Sequence, residues 1–309
     1  MIRVVVVTHD SASVIESCLL SLTAAAPRRG LEIVVVDNAS TDGSADLAAA
    51  RVGVAGVRRL PLNLGFAAGV NAGFAGFEGA WFAVLNPDTV LPRGVLDVLT
   101  DALESCPRAG LVAPRVRDLS GGVERTVGRF PTLARERAHA MFLDRLGGLE
   151  GRHAPFPRHL AEVDWVSGCA WLLRAEALRS VGPLDEGYFM YVEDVDYCRR
   201  LRDAGWSVLA LPEAEVLHAR GGGSRASAAL PADGGPALLR YFTKFHPDVV
   251  GEQVRVTLAR GWRLRRLLHR VLGALGRRRS RVMAGRYALA LAMLARTRAA
   301  PIDHAAVVR

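Results

Sequence analysis

Short, continuous apolar runs alternate with helix-forming stretches along the first part of the chain, and this alternation constrains the fold most strongly. Val4–Val7 and Ile33–Val36 are made entirely of β-branched residues, and Trp81–Leu85 is a third apolar run. Runs of this kind are typical of strands that are buried on both faces of a sheet. Because helical stretches separate them, the sequence predicts an α/β fold with a mostly parallel central sheet and helices on both faces.

The pattern weakens between about residues 118 and 162, where glycine pairs and prolines accumulate. We expect a variable insertion there, with a helix over 133–146. The regular elements predicted beyond it are a strand over 169–173, helices over 175–181 and 193–204, and a strand over 206–211. The Gly-, Ala- and Ser-rich stretch 221–236 reads as a linker that leads into a helical C-terminal part.

Charge is distributed unevenly along the chain. The 309 residues carry a net charge of +9, but residues 251–309 hold 14 arginines and two acidic residues, a net +12. The first 250 residues therefore carry −3, so the overall basicity does not by itself predict a nucleic-acid-binding site. Apolar residues recur at helical spacing among these arginines. They are Leu264, Leu267, Leu268, Val271, Leu272 and Leu275.

This pattern predicts a basic amphipathic helix that lies on an anionic membrane surface. The alternative is that the apolar stripe packs against the rest of the protein and the arginines face water.

The cysteines and the N-terminus indicate a compartment. The four cysteines have no metal-clip or redox-motif spacing, which fits a reducing environment. Four apolar residues near the N-terminus are too few for a signal-peptide core, and no run approaches the roughly 20 residues that span a bilayer. We therefore expect a cytoplasmic protein, peripheral at most to the inner face of the cell membrane.

Acidic residues follow several predicted strands, and in open α/β sheets ligands bind at those strand ends. Asp10, Asp37 and Asp88 are such residues, Glu193–Asp196 opens a helix, and His218 precedes three glycines. Each has a simpler interpretation, because such residues also cap turns or favour a helix dipole. Their joint occurrence at predicted strand ends indicates a ligand site.

Six stretches, in order along residues 1–224, resemble the motifs of family 2 glycosyltransferases with the GT-A fold, in the rhamnosyltransferase-like branch. They are 4–11 (ending THDS), 34–44 (VVVDNASTDGS), 63–74 (NLGFAAGVNAGF), 85–89 (LNPDT), 166–206 (containing EDVD) and 216–224 (VLHARGGGS). The resemblance implies a GT-A catalytic domain over 1–224 and a helical, Arg-rich extension over 225–309.

The resemblance also implies a nucleoside diphosphate sugar as donor. Asp37 would accept a hydrogen bond from N3–H of a pyrimidine, and Thr8 and Asp10 would flank the base and ribose. Asn63, Gly65 and Asn71 match the stretch that lines the donor pocket, where small residues permit close backbone approach. Because thymine and uracil share N3–H, dTDP-rhamnose is favoured by the branch and a UDP-sugar remains open.

Metal and base roles follow from the same resemblance. Family members usually bind Mg²⁺ or Mn²⁺ through Asp-x-Asp, for which this chain has Asn86-Pro87-Asp88. Asp88 would be the main ligand of the divalent cation, His218 would complete the metal shell, and Asn86 would line the substrate site. Asp194 matches the catalytic base and Glu193 lies beside it in the substrate site, so a direct displacement would invert the anomeric centre.

The chain lacks the Gln-x-x-Arg-Trp stretch of processive family members, so we expect one transfer per encounter, to a glycan or polyprenyl-linked acceptor hydroxyl. The absence of Gly-x-Gly-x-x-Gly after the first strand argues against a dinucleotide-dependent oxidoreductase. A nucleotidyltransferase and a nucleic-acid-binding protein remain alternatives, although a basic triphosphate loop and interleaved aromatics are missing. The oligomeric state is not predicted.

Overall fold

The computed structural model describes residues 1–25, 27–143, 152–219, 230–246, 248–249 and 251–297. They divide into two compact units. The sheet unit comprises Met1–Phe130, His153–Phe189 and Glu193–Ser224. The helical unit comprises Pro131–Arg152, Met190–Val192 and Arg225–Arg309.

All strands of the described residues belong to the sheet unit, and the helices are shared between the two units. The strands are β1 (Ile2–Thr8), β2 (Leu31–Asp37), β3 (Val54–Arg59), β4 (Trp81–Leu85), β5 (Thr89–Val90), β6 (Ala109–Asp118), β7 (Val127–Gly128), β8 (Ala161–Glu162), β9 (Trp165–Val166), β10 (Ala170–Arg174) and β11 (Ser207–His218). The helices of the sheet unit are α1 (Ile15–Ala25), α2 (Ser44–Ala49), α3 (Phe66–Phe74), α4 (Val95–Ser105), α6 (Ala175–Val181) and α7 (Glu193–Asp203). Those of the helical unit are α5 (Leu133–Ala140), α8 (Leu230–Phe245), α9 (Gly251–Ala274) and α10 (Arg278–Arg296).

The main sheet has the order β3-β2-β1-β4-β10-β6-β11-β5, with β8 paired to β11, and β7 and β9 form a separate small sheet. β1 is parallel to β2 and β4, β2 to β3, and β6 to β11, whereas β10 is antiparallel to both β4 and β6. The predicted mostly parallel sheet is confirmed, with one antiparallel strand between two parallel groups. The carboxyl ends of β1, β2, β4 and β11 therefore lie at one edge, which we call the strand-end edge.

The burial of the first strands in the hydrophobic core explains why their apolar runs predicted them from the sequence. Every residue of β1 is buried, and α1 covers the sheet with Ile15, Leu19 and Leu22 at helical spacing. The Gly- and Ala-rich helix α3 packs unusually close to β1. A Cβ at Gly73 would come within 2.4 Å of a Val5 methyl carbon, so glycine is required by the packing.

Three boundaries differ from the sequence predictions. The helix predicted over 133–146 begins at Leu133 but ends at Ala140, and residues 144–146 lie outside the described residues. The strand predicted over 206–211 continues to His218, because a bulge between Leu211 and Glu215 absorbs the proline between them.

The linker prediction for 221–236 was wrong over 230–236, and residues 221–229 lie outside the described residues. Helix α8 begins at Leu230 and contains Pro236. Proline disfavours a helix interior, but the buried side chains of Leu238, Tyr241 and Phe242 hold the helix by packing.

In the helical unit, helix α9 packs against its neighbours through one narrow face. Val254, Leu258, Gly261 and Arg265 are buried along it, and the Arg265 guanidinium donates to the backbone carbonyl of His139 at 2.5 Å near the end of α5. A cation at the C-terminal end of a helix satisfies carbonyls that lack partners within the helix.

A second face of α9 is left exposed by the described residues. Leu267, Leu268, Val271 and Leu275 are 59, 44, 52 and 74% exposed, and Arg263, Arg266 and Arg270 are exposed between them. Leu264 is exposed as well, and Leu272 is half-buried. Among the described helices none is long and apolar enough to span a bilayer.

Candidate active site

Two buried polar atoms at the ends of the first two strands have no hydrogen-bond partner among the described residues. Thr8 pairs in register with Asp37, and both are buried. Thr8 Oγ1 and Asp37 Oδ1 have no hydrogen-bond partner among the described residues, whereas Asp37 Oδ2 accepts from Ser40 N at 3.2 Å. A buried polar atom without a partner costs about 1–3 kcal/mol, so such atoms indicate a ligand or ordered water.

The turns that follow these strands contain unusual backbone. Asp10 and Ala39 have φ values of 47° and 59°, in the left-handed region, and such conformations accumulate at functional sites. Asp10 Oδ1 accepts from Thr41 N at 2.8 Å, and Asp10 N donates to Ser40 Oγ at 3.0 Å. Asp10 therefore links the turn after β1 to the turn after β2. This position is compatible with direct contact to a ligand and with holding the turns that contact it.

The stretch predicted to line the donor pocket is held by side-chain amides. Asn63 Oδ1 accepts from Gly65 N at 3.0 Å. Asn38, which the sequence analysis did not single out, donates to the Gly65 carbonyl at 2.8 Å and accepts from Leu64 N at 2.9 Å. Gly65 has φ +89°, and a Cβ there would lie 2.1 Å from the carbonyl oxygen of Phe189. The close approach that requires Gly65 is thus made by the chain itself.

Asn71 holds a second loop in place. Its amide exchanges hydrogen bonds with the backbone of Leu184 at 2.9 Å in both directions and donates to Glu186 at 2.8 Å. These contacts give Asn71 a scaffolding role between α3 and the segment that leads toward α7.

The three acids at the start of α7 have different surroundings. Asp196 is fully buried and bonded to Arg200 at 2.8 Å and to the Tyr188 hydroxyl at 3.1 Å, which makes it structural. Arg200 and Asp196 form an i,i+4 ion pair along α7. Glu193 is buried, its Oε2 has no partner among the described residues, and burial, followed by the charge of Asp194, raises its pKa well above the usual value.

Asp194 is the acid with partial exposure in this group. It accepts from Val195 N at 2.8 Å and from Gly168 N at 3.2 Å. Burial raises the pKa of Asp194 to about 6, against the lowering effect of those backbone hydrogen bonds. Removal from water, rather than repulsion between neighbouring carboxylates, is thus the main cause. A carboxylate with such a pKa is a competent base near neutrality.

Asp88, His218 and Glu124 form a buried chain at the other side of the strand-end edge. His218 Nε2 lies 3.1 Å from Asp88 Oδ1, and His218 Nδ1 lies 3.2 Å from Glu124 Oε1. Burial lowers the pKa of His218, but the hydrogen bonds and charges of Asp88 and Glu124 outweigh it and raise that pKa overall. Asn86 lies directly before the β4–β5 turn, with its backbone N bonded to the Cys169 carbonyl at 2.9 Å.

The two acidic groups meet around Cys169. Gly168, directly before this cysteine, donates from its backbone N to Asp194 at 3.2 Å, and the Cys169 carbonyl accepts from Asn86 N, two residues before Asp88, at 2.9 Å. Burial, with smaller contributions from the charges of Glu124, Asp194 and Asp88, raises the pKa of the thiol to about 12. Strands β4 and β10 bring this about, because Leu85 and Ala170 are paired at the strand-end edge.

Glu124 was missed by the sequence analysis, as was the role of Asn38. Glu124 lies in the stretch read as a variable insertion, and no motif or spacing marks it. Asn38 does lie in the matched stretch 34–44, directly after Asp37, so its position was a usable signal.

Comparison with known proteins agrees with this geometry. Residues 3–180 match the family described as Glycosyl transferase family 2. The chain belongs to this family. It is therefore a glycosyltransferase, as predicted.

Two curated relatives from Mycobacterium tuberculosis illustrate the family membership. The chain is 37% identical over 239 residues, covering 71% of the chain and 76% of the relative, to N-acetylglucosaminyl-diphospho-decaprenol L-rhamnosyltransferase. It is 34% identical over 223 residues to pre-mycofactocin glycosyltransferase, covering 70% of the chain and 42% of that protein.

Solved structures of low identity share the fold of the glycosyltransferase. A Pyrobaculum calidifontis mannosyltransferase in complex with GDP-Man and Mn²⁺ has a TM-score of 0.56 at 17% identity, covering 95% of this chain and 85% of that one. S. aureus TarS in complex with UDP-GlcNAc has a TM-score of 0.55 at 16% identity, covering 84% of this chain and 70% of that one. These similarities concern the GT-A fold.

Proposed function

We propose that this enzyme is an inverting, non-processive glycosyltransferase that moves one sugar from a nucleoside diphosphate sugar to a hydroxyl of a lipid-linked acceptor. The observation that carries the proposal is a chain of contacts at the strand-end edge: Asp194 is bonded to Gly168, the adjacent Cys169 is bonded to Asn86 in the turn that holds Asp88, and Asp88 faces His218. A base and a candidate cation site thereby share one location, as sugar transfer from a diphosphate requires.

The donor end of the site fits a pyrimidine base. Asp37 Oδ1 is a buried acceptor without a partner among the described residues, and N3–H of thymine or uracil is a donor of the right kind. Together with the similarity to a mycobacterial L-rhamnosyltransferase, this makes dTDP-rhamnose the first candidate donor and a UDP-sugar the second.

Asp88 and His218 fit a divalent cation. Their facing atoms lie 3.1 Å apart, close to the ~3.0 Å between adjacent ligands of an octahedral ion with bonds of about 2.1 Å. No group of three or more His, Cys, Asp or Glu residues forms a metal site among the described residues. Mg²⁺ and Mn²⁺ commonly take few protein ligands plus substrate phosphates and water. Bound there, the cation would neutralise the diphosphate leaving group.

Asp194 supplies the base in this proposal. Its carboxylate accepts the proton of the acceptor hydroxyl while that oxygen bonds to the anomeric carbon and the bond to the diphosphate oxygen breaks. Attack from the face opposite the leaving group inverts the anomeric centre. Burial and the charge of Asp194 raise the pKa of Glu193, which disfavours a second negative charge beside the base.

The exposed face of α9 fits the surface on which a polyprenyl-linked acceptor is presented. Its apolar residues are exposed rather than packed, which argues against the alternative interpretation of the stripe. Arginines beside them attract anionic lipid at about 1 kcal/mol each. In this proposal residues 1–224 are the catalytic domain, 225–309 are a membrane-binding extension, and the enzyme works in the cytoplasm at the inner face of the cell membrane.

The test is a donor screen with the full chain. dTDP-rhamnose and several UDP-sugars are incubated with Mn²⁺ or Mg²⁺ and an N-acetylglucosaminyl-diphospho-polyprenol, and the released nucleotide and product anomer are determined by NMR. We expect dTDP release, an inverted linkage and loss of both with Asp194→Asn. Release of inorganic pyrophosphate in a parallel incubation with dTTP or UTP and a sugar 1-phosphate would instead indicate a nucleotidyltransferase.

A further inference from the structure

Glu124 reaches His218 through an arrangement of backbone that the sequence pattern did not reveal. After β6 the chain reverses at Asp118, whose Oδ1 accepts from Ser120 N and Gly122 N, each at 2.9 Å. On the return, Glu124 N donates to the Val116 carbonyl at 2.9 Å. Because β6 pairs with β11 up to His218, this turn brings the Glu124 carboxylate against the imidazole.

The imidazole of His218 is held on both sides. β11 lies between β5 and β6 at this end, so Asp88 approaches from the β5 side and Glu124 from the β6 side. The side chains of Glu124 and His218 are only 7 and 15% exposed. Both oxygens of Glu124 lie near Nδ1, at 3.2 and 3.3 Å, whereas Nε2 faces Asp88.

We propose that Glu124 is a positioning residue that accepts the Nδ1 proton of His218 and thereby directs the Nε2 lone pair, together with Asp88, toward the divalent cation. The inference deepens the proposed function and rests on its cation. A carboxylate behind a ligating histidine fixes the tautomer and ring orientation and strengthens the ligand, and its loss typically weakens metal affinity by 10–100-fold.

Two conservative variants separate hydrogen bonding from charge. Glu124→Gln keeps an acceptor oxygen at the same reach but removes the charge. Glu124→Asp keeps the charge but withdraws the carboxylate by one methylene. If Glu124 positions His218, Mn²⁺ affinity stays within about threefold of wild type in Glu124→Gln and falls 10–100-fold in Glu124→Asp. If Glu124 acts only through its charge, the order is reversed.

The measurement is calorimetric titration of Mn²⁺ into the full chain in the presence of UDP or dTDP, with thermal melts of each variant. The matched control is Glu215→Gln, which removes a carboxylate of β11 that binds Arg115 and Arg117 instead; we expect wild-type Mn²⁺ affinity from it. Wild-type affinity in Glu124→Asp would overturn the positioning role. Failure of the wild-type chain to bind Mn²⁺ would overturn the proposed cation itself, so the two failures are distinguishable.

Discussion

The candidate functional charges of the sheet unit and of the helical unit lie in opposite environments. In the sheet unit the carboxylates that matter lie in or near the core, and burial raises the pKa of Glu193 and Asp194. In the helical unit, Arg263, Arg266 and Arg270 are exposed beside exposed leucines. Burial strengthens the electrostatic interactions of a carboxylate and changes its reactivity, whereas an exposed arginine can contact an external charged surface. Under the proposed function, the comparison assigns chemistry to the sheet unit and surface contact to the helical unit.

The largest expected effect tests the proposed catalytic role of the sheet unit. Asp194→Asn removes the base with little change in volume, so transfer should fall by about 2–4 orders of magnitude while donor binding persists. Initial rates and nucleotide titrations on the same preparation measure both. Transfer near the wild-type rate would exclude Asp194 as the base.

The cation site should show the next largest effect. Asp88→Ala should lower transfer by roughly 10²-fold or more, and His218→Ala should do so to a smaller extent, because a carboxylate neutralises the cation and an imidazole does not. Activity is measured over a Mn²⁺ series and with excess chelator. Undiminished transfer in chelator would contradict a metal-dependent mechanism.

The helical unit is tested by substitution rather than deletion, because deletion would also remove the buried face around Gly261 and Arg265. Replacing Arg263, Arg266 and Arg270 by Gln should weaken binding to anionic vesicles by about 100-fold, at about 1 kcal/mol each. High salt should have a similar effect, and soluble-donor hydrolysis should be unchanged.

Vesicle sedimentation and a circular dichroism melt measure binding and folding in that experiment. The matched control is the replacement of Arg28 and Arg29 by Gln; these residues are ion-paired with Asp101 in the sheet unit. If the triple variant binds vesicles as well as the wild type does, these arginines do not bind the membrane and the proposed role of the helical unit is wrong. Retention on RNA but not on vesicles would revive the nucleic-acid alternative.

At the donor end a smaller effect is expected. Asp37→Ala should reduce affinity for UDP and dTDP about tenfold and to a similar degree, because one hydrogen bond to a charged group contributes about 1.5–3 kcal/mol. Isothermal titration measures both. Unchanged binding would make Asp37 a turn residue only.

The smallest effect is on stability, and it depends on pH. The raised pKa of Asp194, about 6 against 3.8, means that the folded state holds the proton more tightly than the unfolded chain. The stability from this proton is complete below the unfolded value and is lost as pH rises through about 6. Asp194→Asn should therefore stabilise the fold by about 1–3 kcal/mol at pH 8 and much less at pH 4.

Denaturant melts at both pH values check the sign of this effect. Destabilisation at pH 8 would mean that Asp194 has a structural role. That role would then differ only in degree from the role of Asp196 and its partner Arg200.

The sequence predicted what local pattern encodes. Apolar runs such as Val4–Val7 give buried strands wherever they occur, so the parallel sheet and the strand-end residues were predictable. The place of Glu124 was not predictable, because Glu124 and His218 are 94 residues apart and meet only through the pairing of β6 with β11. The packing of α8 despite Pro236 was missed for the same reason, since tertiary burial decides it. Likewise, Gly65 was expected to admit a ligand, and its tight contact with Phe189 emerges only in three dimensions.

The four cysteines give the enzyme a practical property. Burial raises the pKa of the thiols of Cys18 and Cys169 to about 12 and also raises that of Cys198, so these three stay protonated and inaccessible to alkylating reagents. Cys106 is free and half-buried, at the end of α4 just before β6 begins. Since β6 runs in the same direction as β4, this thiol lies at the opposite edge of the sheet from the candidate active site. The unmodified protein should therefore accept a single maleimide probe, which offers a fluorescent reporter attached away from catalysis.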